Sequence, residues 1–239
     1  ILFALSEVDK YEGELNVEVN AYPMGEAFGF VESINQTQAQ TLIYGSGANP
    51  EEYVGFANRY NDLRAANAQN IISAGGSGSD NTSIWLVGFG DDACMGLYGK
   101  GKSAGLRSED KGERRVLDGN RNPYYVWENK WSWDVGLKVA DPATCGCIAN
   151  IDVSELQGGS GIDIEDYMIR LMHLVERRDM ADKQAFIVKR SMPSLLHRQA
   201  NSSSGRRWTV AKDQFGKPVL EFLGIPILVN DALLNTDSL

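Results

Sequence analysis

The sequence predicts an α+β fold, and three observations carry the prediction. Apolar residues recur at helical spacing between Met24 and Ile43. A long middle stretch alternates aromatic and polar residues, and a helix, a strand, a second helix and a strand pair follow toward the end. Strands and helices that are grouped in this way, with no internal repeat, read as one α+β architecture.

Taken in order, Ser6–Val19 alternates loosely and closes on Leu15-Asn-Val-Glu-Val19, a period-two strand pattern. Pro23 suits the first turn of a helix, where its missing N–H is not needed. From Met24 the positions Ala27, Phe28, Val31, Ile34, Leu42 and Ile43 predict an amphipathic helix of about five to six turns. Glu26 suits its positive end, and Gly45-Ser-Gly47 stops it. Asn49-Pro50 opens a polar, turn-rich stretch to Ala74 with a short helix near Glu51–Ala57, and Gly75–Asp80 is a loop. Thr82–Phe89 is a strand, and Gly90–Gly112 follows, dense in glycine and charge, with a basic hairpin loop read at Gly96–Ser103. Tyr124–Val139 then alternates through Tyr125, Trp127, Trp131, Trp133, Val135, Leu137 and Val139, which predicts strands continued by Ile148–Val153. Gly158–Gly161 marks a second loop.

Asp163 opens a helix with Ile164, Met168, Leu171 and Val175 on one face, acidic residues first and Arg177-Arg178 last. Ala185–Val188 is a short buried strand. Ser191 is placed to cap a further helix, with Pro193 in its first turn and Leu195 and Leu196 facing inward. Asn201–Gly205 is a loop, and Trp208 leads into the terminal strands. Of these, Val219–Leu223 and Ile225–Val229 are joined by Gly224, which adopts backbone angles closed to other residues. Pro226 donates no backbone hydrogen bond, so one edge of this pair is expected to be excluded from further pairing.

A chain of 239 residues forms one large domain or two small ones, with enough length for a proper core. The formal charge of −9 and pI near 4.8 argue against a surface built to grip nucleic acid or an anionic membrane. No apolar run approaches the roughly 20 residues of a membrane span. Ile1–Leu5 lacks the basic flank and cleavage site of a signal peptide, and the start on a strand without methionine suggests a preceding segment. Three cysteines, Cys94, Cys145 and Cys147, make no disulfide framework, and cytosolic production is the simpler inference. Cys145-Gly-Cys147 resembles half a metal site, but only His173 and His197 exist as further soft ligands; buried or exposed thiols are the reading, with no metal.

Gly96-Leu-Tyr-Gly-Lys-Gly101-Lys102-Ser103 matches the phosphate-cradling pattern literally. That chemistry needs a buried strand ending at the loop and a helix starting after it, whereas the strand ends near Phe89 and Ala104–Gly112 has no apolar face. A nucleotide-binding enzyme using Lys102 and Ser103 therefore stands only as a rival reading. No Gly-x-Ser-x-Gly elbow is present, and Asp163, Glu165 and Asp166 sit where a helix N-terminus favours negative charge. No catalytic residue and no cofactor is expected. Arg206 and Arg207 beside Trp208 suit a solvated loop or a subunit contact. Trp131 and Trp133, with Tyr125 and Trp127, suit a core or an interface, where an apolar body and a polar tip are both used.

Several segments in order resemble the major capsid proteins of tailed bacteriophages with the Hong Kong 97-like fold. They are Asn49-Pro-Glu-Glu52, Ala65-Ala-Asn-Ala-Gln-Asn-Ile-Ile72, Gly78-Ser-Asp-Asn-Thr-Ser-Ile-Trp85, Ala149-Asn-Ile-Asp152, Phe222-Leu-Gly-Ile-Pro-Ile227 and Asp231-Ala-Leu-Leu234. The likeness runs from Ser6 to the end. It implies a shell protein with residues 1–20 as the return strand of an extended loop and 21–82 as a peripheral domain whose spine helix is 24–44. Residues 83–150 form a β-rich region, 151–219 an axial domain and 220–239 the return to the peripheral domain. It implies self-association into hexamers and pentamers, an icosahedral virion enclosing double-stranded DNA, assembly in the host cytoplasm, and scaffold, portal and decoration partners. A shell of the same fold built around protein cargo, of the encapsulin kind, is the nearer rival. Gly224, Pro226, Trp131, Trp133, Arg206 and Arg207 are the candidate assembly residues. An acidic lumen would hold DNA without adhering to it, since phosphates are repelled over a Debye length of roughly 8–10 Å.

Overall fold

A computed structural model describes residues 2–11, 22–49, 51–63, 68–158, 162–176, 183–202, 208–212 and 218–237. The expected strand residues Leu15–Val19, the cations Arg177-Arg178 and the pair Arg206 and Arg207 lie outside them. Two sheets organise the fold. The larger holds nine strands: β2 (Ile71–Ser73), β3 (Asn81–Phe89), β4 (Cys94–Leu97), β7 (Gly136–Val139), β8 (Cys145–Asp152), β9 (Lys183–Val188), β10 (Trp208–Lys212), β11 (Pro218–Phe222) and β12 (Ile225–Val229). The smaller is antiparallel, in the order β1 (Leu2–Asp9), β6 (Pro123–Trp133), β5 (Leu106–Leu117).

β3 shows why the larger sheet is the core. Its run Ile84-Trp-Leu-Val87 is β-branched or bulky throughout, and all four side chains are buried. Alternation sends Ile84 and Leu86 to one face and Trp85 and Val87 to the other. Ile84 and Leu86 meet α3 (Val153–Gly158), α4 (Ile164–Leu174) and α5 (Met192–Ser202) through Leu156, Met168, Leu171 and Leu196. Trp85 and Val87 meet α1 (Tyr22–Tyr44) and α2 (Phe56–Arg59) through Ile43 and Phe56. Helices therefore cover both faces. Gly146 on β8 lets α4 pack closely on the sheet, because a Cβ there would lie 2.7 Å from Leu171 Cδ1.

The helices follow their sequence signals with local differences. Asp163 caps α4 by accepting the Asp166 backbone N–H, and Ile164, Met168 and Leu171 are buried as expected. The long helix runs Tyr22–Tyr44 and buries Ile34 and Ile43, but Phe28 is 68% exposed. The apolar stripe thus serves the core through the second half of the helix, where it crosses the sheet. The short helix is Phe56–Arg59, later than the Glu51–Ala57 reading. β8 ends at Asp152, and Val153 already belongs to α3. Asn201 and Ser202 extend α5 rather than starting a loop. Ser191 does not cap α5: its hydroxyl is buried without a partner. The entry is held instead by Met192 N–H donating to Lys189 C=O at 2.9 Å.

One further expectation is corrected and one is refined. The basic loop expected at Gly96–Ser103 runs on from Leu97 to Leu106, and the stretch Gly90–Gly112 around it also holds β4 and the first half of β5. β5 is charged and mostly exposed on both faces, so it lacks the apolar alternation that marks a strand. β12 is not closed to pairing on one edge. It pairs antiparallel with β11 and parallel with β9, whose ladder begins at Ile227, one residue past Pro226. The proline limits only its own position.

Candidate functional site

Trp131 and Trp133 lie on the three-stranded sheet, Lys102 and Ser103 at its root, and Gly224 and Pro226 in the C-terminal hairpin. The three-stranded sheet is an arm grown out of the larger one. β4 leads into β5, and β6 leads into β7, so the β4–β7 ladder is the root of the β5–β6 hairpin. At the far end Asp118 organises the turn, accepting the backbone N–H groups of Asn120 at 2.8 Å and Asn122 at 2.7 Å. The backbone hydrogen bond from Asn122 is the main reason the Asp118 carboxyl is held below its usual range. A bulge at Lys111, with Gly112 at φ 74, breaks the β5 register beyond Asp110.

Residues directly opposite in a ladder share a face. Trp133, Trp131 and Trp127 lie opposite Leu2, Ala4 and Val8, and Tyr125 follows at the same spacing, so all four aromatic residues stand on one face of the arm. Trp131 Nε1 donates to Ser6 Oγ at 3.3 Å, Lys10 Nζ sits 5.9 Å from the Trp127 ring centroid, and Trp133 with Leu2 faces Thr37, Thr41 and Tyr53. The root is thereby fixed against α1, whereas Tyr125 near the tip is 55% exposed. On the other face Phe3 is 67% and Leu5 42% exposed. Glu128 on that face is buried and accepts from Arg114 at 2.6 Å. Arg114 is held more firmly protonated as a result.

At the root, Lys102 and Arg107 both donate to Asp134. The Lys102 hydrogen bond draws the Asp134 carboxyl below its ordinary range, with charge attraction from Lys102 and Arg107 adding to it. This arrangement contradicts the phosphate-loop reading. Lys102 is spent on a carboxylate, its N–H donates to Gly99 C=O at 3.0 Å, and Ser103 leads into strand β5 rather than a helix. The half-site at Cys145 and Cys147 fares similarly. Both thiols lie on the α1 side of the sheet, whereas His173 and His197 are exposed on α4 and α5, across it. Among the described residues no three His, Cys, Asp or Glu side chains cluster.

Gly224 and Leu223 form the β11–β12 turn, with φ of 82 and 49. Two successive left-handed residues are the signature of a type I′ hairpin turn, so Gly224 does what its sequence position suggested, jointly with a leucine. Leu223 is 50% exposed at this tip. Beyond β12 the chain crosses the sheet as a strap. Asn230 N–H donates to Val188 C=O at 2.8 Å, Thr82 Oγ1 to Leu234 C=O at 3.0 Å, and Asp237 N–H to Asn81 C=O at 2.9 Å. The Tyr44 hydroxyl donates to Asp237 and accepts the Leu234 N–H at 3.0 Å, and Ser83 Oγ adds a bond to Asp237 at 3.2 Å. Burial is the main cause that pushes both the Tyr44 phenol and the Asp237 carboxyl upward. No local motif in the sequence links residues so far apart.

A family model described as major capsid protein GP7 matches residues 1–239. A solved structure described as a near-atomic resolution structure of bacteriophage epsilon15, from cryo-EM and modelling, is similar over 99% of this chain and 72% of its own, at 31% identity and a TM-score of 0.70. Comparison with curated proteins finds no match. The mixed helix-and-sheet fold is thus similar to that of a phage particle protein over nearly its whole length. With the family model spanning every residue, the chain belongs to the major capsid protein GP7 family, structural proteins of the phage shell.

Proposed function

We propose that the arm sheet is the part of this shell subunit that reaches a neighbouring copy, and that copies associate into hexamers and pentamers which close into an icosahedral container for double-stranded DNA. The observation that carries this reading is the arm's lack of a core of its own. Three strands with Phe3, Leu5, Tyr125 and Leu117 exposed bury little apolar surface, and such a sheet gains stability from a partner. Helix α1 acts as the spine within a peripheral part, residues 21–82. Residues 1–20 serve as the strand returning from an extended loop, and 83–150 form the β-rich arm and its root. Residues 151–219, with α4, α5 and β9, surround the capsomer centre, and 220–239 return the chain to the periphery. Gly224, Pro226, Trp131, Trp133, Arg206 and Arg207 act in shaping or contacting these interfaces. Scaffold, portal and decoration proteins of the same virus are the further partners, and assembly takes place in the host cytoplasm.

Many modest interfaces repeated through closed symmetry suffice for such a shell, so no single contact need be strong. The test is electron microscopy of the chain expressed alone, with Phe3→Ser, Leu5→Ser and Tyr125→Ser as comparisons. Closed particles from the unmodified chain and free, folded subunits from the triple variant are expected. Closed particles of unchanged yield from the triple variant would remove the arm from the assembly mechanism.

A further inference from the structure

Cys94 and Cys145 meet where β3 changes partner along one edge. β8 pairs with β3 from Asn81 to Val87, and β4 takes over at Phe89. The opposite edge of β3 is occupied by β9 over Trp85–Phe89, so β8 and β4 follow one another on the same side. Cys145, first residue of β8, lies opposite Val87; Cys94, first residue of β4, lies opposite Phe89. Two residues of strand separate those positions, which is about 6–7 Å. That lies at the upper end of the Cα separations a disulfide spans, about 4.4–6.8 Å.

The two side chains also share a face. Both are buried with Trp85 and Val87 in the cluster beneath α1 and α2. Thr144 Oγ1 lies 3.7 Å from Cys145 Sγ. The neighbouring Cys94 thiol is the first cause that draws Cys145 down to about 7, and the Cys145 thiol in turn pushes Cys94 up. Cys145 is thereby the better nucleophile and Cys94 the thiol placed to resolve it. Cys147, two residues further along β8, differs: burial and the Asp237 carboxylate push its thiol up.

We propose that Cys94 and Cys145 are an oxidisable pair that closes into an intrachain disulfide on exposure to hydrogen peroxide, fastening the root of the arm to the main sheet. In the first step the Cys145 thiolate attacks one peroxide oxygen, the O–O bond breaks, and a sulfenic acid and one water form after protonation. In the second the Cys94 sulfur attacks the Cys145 sulfur, the S–O bond breaks and a second water leaves with the Cys94 proton. Two thiols and one peroxide give one disulfide and two waters. The bond joins β4, which carries the β5–β6 hairpin, to β8 in the centre of the sheet.

The experiment treats the purified chain with peroxide, blocks remaining thiols under denaturing conditions, and maps the peptides by mass spectrometry. A peptide pair linked through Cys94 and Cys145, lighter by two hydrogens, with Cys147 alone blocked, is expected. The same link is expected in Cys147→Ser, and its absence in Cys94→Ser. Amide exchange across β4 and β7 should slow on oxidation and recover after dithiothreitol. Three blockable thiols after exposure that oxidises surface methionines would overturn the proposal. So would a link through Cys147 or between two chains.

Discussion

Replacing Gly224 with valine tests the hairpin most directly, because the structure separates backbone strain from crowding. A Cβ at Gly224 meets no atom within 4 Å, so no steric clash contributes. What remains is φ at 82, a left-handed conformation that costs an L-residue about 1–2 kcal/mol and is worst for β-branched side chains. Taking about 2 kcal/mol, the folded-to-unfolded ratio falls roughly 30-fold, since about 1.4 kcal/mol is a factor of ten. For a chain of this length that lowers Tm by about 4–8 °C. Gly224→Ala should lose less, because alanine lacks the β-branch that makes this region worst for valine, and Gly224→Asn less again because asparagine tolerates this region. The hairpin is anchored by Phe222 and Ile225, both buried, so the strain is transmitted to the core rather than relaxed at the surface. Thermal unfolding of the three variants, followed by circular dichroism, gives the order Asn, Ala, Val from most to least stable. If valine and asparagine unfold at the same temperature, the turn is not holding its left-handed geometry and the argument fails.

Three other perturbations follow from the same structure. Lys102→Ala should leave Tm and particle yield unchanged within error, because Arg107 keeps Asp134 paired; abolished nucleotide binding in a binding assay would instead revive the phosphate-loop reading. Arg114→Ala should loosen the arm more than Glu128→Gln, since it strands a buried carboxylate while the reverse change leaves an exposed guanidinium in water; exchange rates of β5 and β6 amides measure the difference. The strap should tighten in acid. Burial raises the Asp237 carboxyl above its ordinary 3.8, so its neutral form stabilises the fold below that value, and the gain is lost as pH rises through the raised value. Protection of the 230–237 amides, taken as exchange rates relative to the intrinsic rate at each pH, should fall over that range, with Asp237→Asn removing the fall.

The elements legible in the sequence are those that bury a periodic apolar face. Ile84 to Val87 form an unbroken apolar run covered on both faces, and the Asp163-capped helix and the long helix ending at Tyr44 place large apolar side chains at helical spacing. β5 was illegible for the opposite reason. Glu109, Asp110, Lys111, Glu113, Arg114 and Arg115 carry no alternation, and the strand exists because β6 offers it a ladder. The bulge at Asn150 was equally hidden. Its φ of 56 is set by pairing between β3 and β8, which shifts register between Thr82 and Ile84. Among the candidate residues, Trp131 and Trp133 share a face with Tyr125 and Trp127, and the period of two makes that much legible in the sequence. The Tyr44–Asp237 bond joins residues 193 apart, a separation that only the folded sheet brings together.

The arm has to satisfy two opposed demands. Its outer strands, β1 and β5, each pair on one side only among the described residues, and free edges invite indiscriminate strand addition. β5 answers with charge along its length and a bulge that twists the edge, both of which disfavour a second strand in register. Apolar exposure lies on the faces instead, at Phe3 and Leu5 on one and Tyr125 and Leu117 on the other. A face can be covered by a shaped neighbour without an open-ended ladder. The acidic chain as a whole, at −9, adds a long-range repulsion that any contact between copies must overcome. Under the proposed role of the arm, contacts that are weak singly and directional together would serve closed assembly, and a charged, poorly covered strand would suit it better than a well-buried one.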